Sequence, residues 1–194
     1  SKGYRVGIVS NSDGHKGRPG ASYPGASMFG SYGGLTCMLA GELTRESIWE
    51  SLLRRHHYGT TGNRMFMDVR VQLNKPGRSF LEDPQLCESE SESAQVGIMG
   101  DIIQTTQNEA TLQLEIIASA PIEKLEIRNG LSILETVRPY KESELGKRIR
   151  VIWAGAEYRG RGRETVWDGC ASLRGNTFEA ITSINMYNRE QDVS

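Results

Sequence analysis

The sequence predicts an α+β fold, with a strand, a long loop and a helix in residues 1–65, followed by a mostly antiparallel β-sandwich in residues 66–194. Three observations lead to this prediction. A short apolar run precedes a glycine-rich stretch near the start of the chain. One later segment carries apolar side chains at helical spacing. The remainder divides into short alternating segments separated by turn residues, which is typical of a sandwich.

The first strand is expected over Tyr4–Ser10, where Val6, Ile8 and Val9 form a short apolar run typical of a buried strand. Residues 14–34, which follow, are rich in glycine, proline, serine and tyrosine. They are expected to form one long loop, and loops of this length in compact domains are usually functional or disordered.

The clearest helix is expected over Thr44–His56. Thr44 is a favourable N-cap residue, and Leu43 has the spacing that would let it pack on Ile48 as a hydrophobic staple. The apolar side chains of this helix share one stripe, which should be buried. The stripe consists of Ile48, Trp49, Leu52 and Leu53.

Two adjacent histidines, His56 and His57, stand at the expected C-terminus of this helix. Positive charge is favourable there, so helix capping is one interpretation. Metal binding is the other, but adjacent helical residues point about 100° apart and do not easily hold one ion. Capping is therefore the favoured interpretation, with Gly59 and Gly62 forming the turn that ends the segment.

The predicted sandwich begins with a half-buried strand over Met65–Leu73, and residues 82–95 form an acidic stretch expected to be a mobile surface loop. Asn129-Gly130 is a hairpin signal between two further segments. Alternating apolar residues predict strands over Thr111–Ser119, Ile122–Arg128, Ser132–Arg138 and Lys147–Trp153, with two or three more in 164–173 and 177–187.

Composition excludes several classes of protein. The net charge is −1 and there is no basic block, so nothing in the sequence indicates nucleic-acid binding. No apolar run approaches the roughly 20 residues of a membrane span, so we expect no membrane association. The three cysteines, Cys37, Cys87 and Cys170, are widely separated and odd in number, which predicts unpaired thiols rather than a disulfide framework.

The tripeptide Asp13-Gly-His15 follows the predicted first strand directly. A carboxylate and an imidazole at the end of a strand are a common pair of ligands for Zn, Mn or Fe. The alternative is a plain turn, with Asp13 capping it and His15 on the surface. Arg18, in the glycine-rich loop, could bind an anionic substrate group through its planar guanidinium, or could be an ordinary solvated side chain.

The surrounding residues, Ser10-Asn-Ser-Asp-Gly-His-Lys-Gly-Arg-Pro-Gly20, resemble the last metal-binding motif of the polymerase and histidinol phosphatase (PHP) superfamily. More narrowly, they are similar to an uncharacterised branch of large PHP-like proteins. Phe29-Gly30, Gly33–Thr36 and Leu43–Gly62 also resemble that branch, with Gly59 in place of its usual alanine. The similarity is strong across Tyr4–Val71 and diffuse across the remainder.

This resemblance implies a metal-dependent hydrolase acting on phosphoester-like substrates, with Asp13 and His15 as metal ligands and a divalent cation as cofactor. PHP-like sites also use an H-x-H motif near the N-terminus, and none of the three histidines here forms one. We therefore expect residues 1–65 to be the C-terminal end of a PHP-like barrel, whose partner is a preceding part of the same protein.

Two protein ligands fall short of the three or four that a stable metal site needs, so this chain alone should bind metal weakly, hold no cofactor tightly and be inactive. An alternative remains open beside the hydrolase. The chain would then be a non-catalytic β-sandwich that packs against the barrel and mediates assembly, including formation of an oligomer.

Overall fold

The computed structural model of the protein describes residues 3–11, 34–152 and 169–182. The chain divides into two compact units, with the division between Ser143 and Glu144. The boundary predicted at residues 65 and 66 lies within the first unit. In the second unit, the described residues after the short 3₁₀ turn Glu142–Glu144 contain no helix and no strand.

The first unit opens with a small antiparallel hairpin whose strands are joined by a helix. Its elements are β1 (Leu35–Met38), α1 (Arg45–Leu53) and β2 (His57–Thr60). Leu35 pairs with Thr60 at one end of the hairpin, and Met38 pairs with His57 at the other. The backbone N–H of Leu39 donates to the His56 carbonyl at 2.8 Å, which extends the pairing beyond β1.

Helix α1 begins where the sequence predicts and ends three residues early. Thr44 caps it by accepting a hydrogen bond from the Ser47 N–H at 3.2 Å. At the other end the Arg55 N–H donates to the Leu52 carbonyl and the His56 N–H to the Ser51 carbonyl. This is the bonding pattern of a Schellman motif, with Arg55 in the left-handed position at φ 61°.

A four-stranded antiparallel sheet follows, built around one long central strand. Its elements are β3 (Phe66–Phe80), β4 (Ser91–Ile98), β5 (Ile102–Gln104) and β6 (Ala110–Ile117). Strand β4 pairs along one side of β3, and β6 and β5 share the other side, so the long strand is hydrogen-bonded on both edges.

Strand β3 continues seven residues past the predicted end, through Pro76. The register with β4 is irregular between Gln72 and Gly77, where proline cannot donate to the ladder. Glutamine side chains replace the missing pairing. Gln107 accepts from the Lys75 N–H at 2.9 Å and donates to the Lys75 carbonyl at 2.6 Å, and Gln95 donates to the Leu73 carbonyl at 3.1 Å. Local sequence gave no indication of this because the partners lie far along the chain.

The last two strands of the first unit form a separate hairpin. They are β7 (Leu125–Asn129) and β8 (Ser132–Val137), and the predicted Asn129-Gly130 turn joins them with Gly130 at φ 58°. Strand β8 is exposed along its whole length. Strands β6, β7 and β8 therefore confirm the strands predicted at these positions, within three residues at each end, and β3 confirms the start but not the end of its predicted strand.

The buried apolar core of the described residues is small. It consists of Tyr58, Leu73, Phe80 and Ile102. Phe80 of β3 and Ile102 of β5 are paired in register, and Tyr58 joins β2 to the start of β3 because its hydroxyl donates to the Met65 carbonyl and accepts from the Met67 N–H. These contacts cross the predicted boundary at residue 65, so the helix-hairpin and the sheet belong to one compact unit.

Several sequence predictions are wrong for the described residues. Residues 3–11 form no strand, and Val6 and Ile8 are exposed rather than buried. Leu43 is 95% exposed and makes no staple. The later part of the acidic stretch is not a loop, since residues 91–94 pair with β3 and Gln95 lies in the same strand, β4. Residues 147–152, 169–173 and 177–182 form no strand, and the rest of those predicted strands lies outside the described residues.

The α1 stripe is also exposed, with Trp49 at 59% and Leu53 at 52%. Helical periodicity identifies an apolar face but does not supply the surface that covers it. The coarse class is nevertheless confirmed: the described residues form a sheet-rich α+β unit with one helix and antiparallel strands, and no barrel. No helix among them is long and apolar enough to cross a membrane.

Candidate functional site

The three predicted site residues, Asp13, His15 and Arg18, lie outside the described residues. The structure does describe the chain that leads to them, residues 3–11, which we call the approach segment. The approach segment ends two residues before Asp13 in the sequence. Three sets of polar contacts fix its position.

The first contact set joins the end of the approach segment to β1. The Ser10 N–H donates to the Thr36 hydroxyl at 2.9 Å, and the same hydroxyl donates to the Ser10 carbonyl at 2.7 Å. The Gly34 N–H then donates to the Asn11 carbonyl at 3.1 Å. One threonine side chain therefore satisfies both backbone groups of Ser10, as a neighbouring strand would.

The second contact is made by His57, the first residue of β2. Its imidazole is buried, and Nδ1 lies 2.9 Å from the Ile8 carbonyl oxygen. Because a carbonyl oxygen only accepts, Nδ1 must carry the proton and act as the donor. The helix-cap interpretation of His57 is wrong, because this residue begins strand β2 and its side chain contacts the approach segment.

The third contact joins the start of the approach segment to the connection between β3 and β4. The Arg5 guanidinium donates to Asp83 at 2.8 Å, and the Arg5 and Gln85 backbone N–H groups donate to the same carboxylate. The Gln85 N–H, together with the charge and hydrogen bonds of Arg5, holds the pKa of the Asp83 carboxyl below its usual value. The carboxylate is buried against this arginine.

These contacts give the approach segment a direction. Ile8 lies beside His57 and Ser10 beside Thr36, and Asn11 then reaches Gly34. The segment thus runs from the His57 end of the hairpin towards the end where Leu35 pairs with Thr60. The chain leaves the described residues at Asn11, at the opposite end of the hairpin from His57.

The other histidine of the pair, His56, serves a different part of the molecule. Its Nε2 lies 2.8 Å from Asp101 in the turn between β4 and β5, and the other oxygen of Asp101 accepts from the Ile98 N–H. The His56 backbone N–H thus helps to end α1, as described above, while its side chain contacts Asp101 rather than the helix carbonyls. No local sequence signal indicated the pairing of Asp83 with Arg5 or of Asp101 with His56, because each of these side-chain pairs joins residues at least 45 positions apart.

The predicted ligands are of chemical types that bind metals, but two ligands are fewer than a stable site needs. Asp13 and His15 offer a carboxylate oxygen and an imidazole nitrogen, which suit Zn, Mn or Fe. Among the described residues no group of three or more histidine, cysteine, aspartate or glutamate side chains comes together. The cysteines are free, as predicted, and take no part in such a group.

Comparison with known proteins gives one match. The family described as "Protein of unknown function (DUF3604)" matches residues 20–128, which is more than half of the chain. The chain belongs to this family. The search of curated proteins and the search of solved structures found no match.

The matched range of this DUF3604 chain has a bearing on the site. It includes β1, α1, β2 and the four-stranded sheet, and with them Thr36, His57 and Asp83, which hold the approach segment. The predicted ligands Asp13 and His15 precede it, as does Arg18. The family match therefore includes the residues that hold the approach segment. The description of the family assigns no activity.

Proposed function

We propose that this DUF3604 chain is the C-terminal portion of a PHP-like metal-dependent hydrolase and supplies Asp13 and His15 as two ligands of its divalent metal site. The remaining ligands would come from a preceding part of the same protein. The observation that supports this most directly is the anchoring of the approach segment, because a pair of ligands is useful only on chain that is held in place.

The residues have separate roles in this proposal. A bound divalent metal would polarise the ester oxygen and lower the pKa of its water, making hydroxide available near neutral pH. Asp13 and His15 bind and orient that metal rather than acting as bases. Arg18 binds an anionic group of the substrate through two parallel hydrogen bonds, which suits a phosphoester-like substrate. Thr36, His57 and Asp83 hold the chain that carries the ligands.

The proposed architecture places residues 1–65 at the end of a PHP-like barrel and residues 66–194 in a β-sandwich. Two observations support the need for further chain around them. The described core is limited to four apolar residues, and the apolar stripe of α1 is exposed. In an α/β barrel, the apolar stripe of an outer helix is covered by the neighbouring strands and helices.

The test uses the protein that includes the preceding barrel. Asp13→Ala and His15→Ala should each lower the bound metal per protein well below the wild-type value and abolish phosphoesterase activity, with thermal melting changed little. His56→Ala serves as the control, because His56 contacts Asp101 and not the approach segment. Unchanged metal content in both ligand variants would exclude the ligand assignment and with it the hydrolase.

A second candidate function is supported by the α1 stripe itself. Ile48, Trp49 and Leu52 line an open groove on the exposed side of the helix. If the chain is a non-catalytic assembly domain, this groove is an interface, and sedimentation should show an oligomer that Trp49→Glu disrupts. A wild-type chain that sediments as a monomer at every concentration tested would remove self-assembly through this groove.

A further inference from the structure

Strand β6 has one paired edge and one open edge. It pairs with β3 in an unbroken register over its whole length, from Ala110 to Ile117. Among the described residues, no further strand lies beside its other edge. The unpaired N–H and C=O groups of an edge strand are a template on which another strand can pair.

The hydrogen bonds of β3 show which backbone groups of β6 point outward. The Met99 N–H donates to the Val69 carbonyl at 3.0 Å, on the β4 side of β3. Backbone groups of successive strand residues point to opposite edges, so Arg70 directs its groups to β6, where its partner is Gln113. Gln113 therefore bonds to β3, and alternate residues on either side of it point away from the sheet. The outward-facing residues are Ala110, Leu112, Leu114 and Ile116.

The side chains of β6 do nothing to prevent pairing at this edge. Leu112 and Leu114 lie on the same face of the sheet as their partners Val71 and Val69, and all four are partly exposed. Glu115 is the one charged residue of the strand, which contains neither lysine nor proline. A regular, apolar edge without these residues is the kind that pairs with another chain.

The opposite edge of the sheet, formed by β4, is protected against pairing. Its register with β3 is interrupted between Gln72 and Gly77, and Glu92 places a charge near its start. At its end, the Ile98 N–H donates to Asp101 at 2.8 Å. Irregular register and charged side chains are common means of blocking a sheet edge. A sheet with one protected and one open edge forms a closed dimer rather than a chain of copies.

We propose that β6 pairs antiparallel with β6 of a second copy of this chain, about a two-fold axis at Gln113, so that the two sheets become one. Around this axis Leu112 lies opposite Leu114 of the second copy, which continues the apolar stripe from one sheet to the other. Glu115 lies opposite Thr111 of the second copy, so that like charges do not meet. The pairing does not depend on the proposed metal site.

The position of the axis follows from the sequence of the strand. In a regular antiparallel pair, outward-facing residues must lie opposite outward-facing residues. An axis one residue before Gln113 would set Glu115 opposite Glu109, and like charges directly opposite each other are destabilising. An axis one residue later would place Ala110 opposite a residue beyond the end of β6. The axis at Gln113 uses all four outward-facing residues.

The first test is sedimentation velocity of the 194-residue chain over a range of concentrations. Gln113→Glu and Gln113→Lys each set two like charges opposite each other at the axis, on an exposed side chain, and each alone should weaken the dimer severalfold. An equal mixture of the two variants sets opposite charges there and should regain the dimer. Ser93→Glu is the matched control, because it adds a carboxylate to the β4 edge, and it should sediment as wild type.

The second test measures the edge itself. In the wild type, hydrogen exchange at the Leu112 and Leu114 amides should slow by about tenfold or more from dilute to concentrated protein, because pairing protects them. Exchange at Gln113 should be slow at both concentrations, since its N–H bonds to β3. Leu114→Pro removes an outward N–H and no bond to β3, and should abolish the dimer. Thermal melting shows whether each variant is folded.

Several results would overturn the proposal. A wild type that is monomeric at every concentration, with fast exchange at Leu112 and Leu114, would show that the edge does not pair. Slow exchange at these amides in a monomer would mean that another segment of the same chain covers the edge. A dimer that Trp49→Glu disrupts and Gln113→Glu leaves intact would place the interface at the α1 groove. A dimer strengthened by Gln113→Lys would exclude the axis at Gln113.

Discussion

At the scale of single residues, polar side chains stabilise this fold by making hydrogen bonds to backbone groups. Arg55 occupies a left-handed position that usually belongs to glycine, and its guanidinium donates to the carbonyls of Gly100, Leu53 and Leu81 at 2.9–3.1 Å. Gly100 lies so close to the Arg55 carbonyl that a Cβ there would clash. The strain of the left-handed backbone is therefore offset by three guanidinium hydrogen bonds, two of them to the distant residues Gly100 and Leu81.

We expect substitutions of Arg55 to separate these two effects. Arg55→Ala should lower the free energy of unfolding by about 1–3 kcal/mol, because it loses the guanidinium bonds and keeps the strain. Arg55→Gly loses the same bonds but relieves the strain, and should recover about 1 kcal/mol. Urea unfolding of both variants provides the measurement. A glycine variant no more stable than the alanine variant would show that the backbone here is not strained.

The Asp83 carboxylate should make stability depend on acid pH. Its pKa is lowered in the folded state, so the unfolded chain takes up the proton first as the pH falls. The stabilisation is therefore fully present above the unfolded value of about 3.9 and is lost as the pH falls through the lower folded value. Asp83→Asn should be less stable than wild type at neutral pH and show a smaller loss of melting temperature between pH 7 and pH 3.

Glu109→Gln is the control for Asp83→Asn, because it removes one exposed carboxylate elsewhere on the molecule. It should leave the pH dependence of melting close to that of wild type. Equal pH dependence in Asp83→Asn and wild type would mean that the contacts of the Asp83 carboxylate with the Gln85 N–H and Arg5 carry no proton-linked stability.

At the scale of elements, the sequence predicted those parts that depend on neighbouring residues. The Thr44 cap and the Asn129-Gly130 turn are local and were confirmed. The end of α1 was predicted too late because arginine, rather than glycine, takes the left-handed position. The continuation of β3 through Pro76 was missed because the glutamines that satisfy it are distant in sequence: Gln95 lies in β4 and Gln107 in the connection between β5 and β6. The first error is one of local backbone conformation at Arg55, and the second depends on partners distant in the sequence.

The exposed stripe of α1 changes the expected cost of a substitution there. Truncating a fully buried tryptophan costs about 3–5 kcal/mol, but Trp49 is 59% exposed. We therefore expect Trp49→Ala to cost about 0.5 kcal/mol or less in chemical unfolding of this chain. A loss above 2 kcal/mol would mean that the stripe is covered in solution, either by a second copy or by another part of the protein.

At the scale of the whole molecule, the sequence and the structure each inform a different part of the proposed site. The sequence pointed to Asp13 and His15 through the chemistry of their side chains, and the structure describes what holds the residues before them. That framework could not be predicted, because Thr36, His57 and Asp83 lie 26 to 78 residues from their partners. The DUF3604 family match covers this framework and leaves the activity open.

The central claim is that Asp13 and His15 bind a divalent metal, and titration of the 194-residue chain with Mn²⁺, followed by paramagnetic broadening of its amide signals, tests it most directly. We expect weak binding, with the signals of residues 13–15 broadened first and this effect lost in Asp13→Ala and His15→Ala. Broadening that appears first in the acidic residues 88–92, or that persists at residues 13–15 in both variants, would contradict the claim.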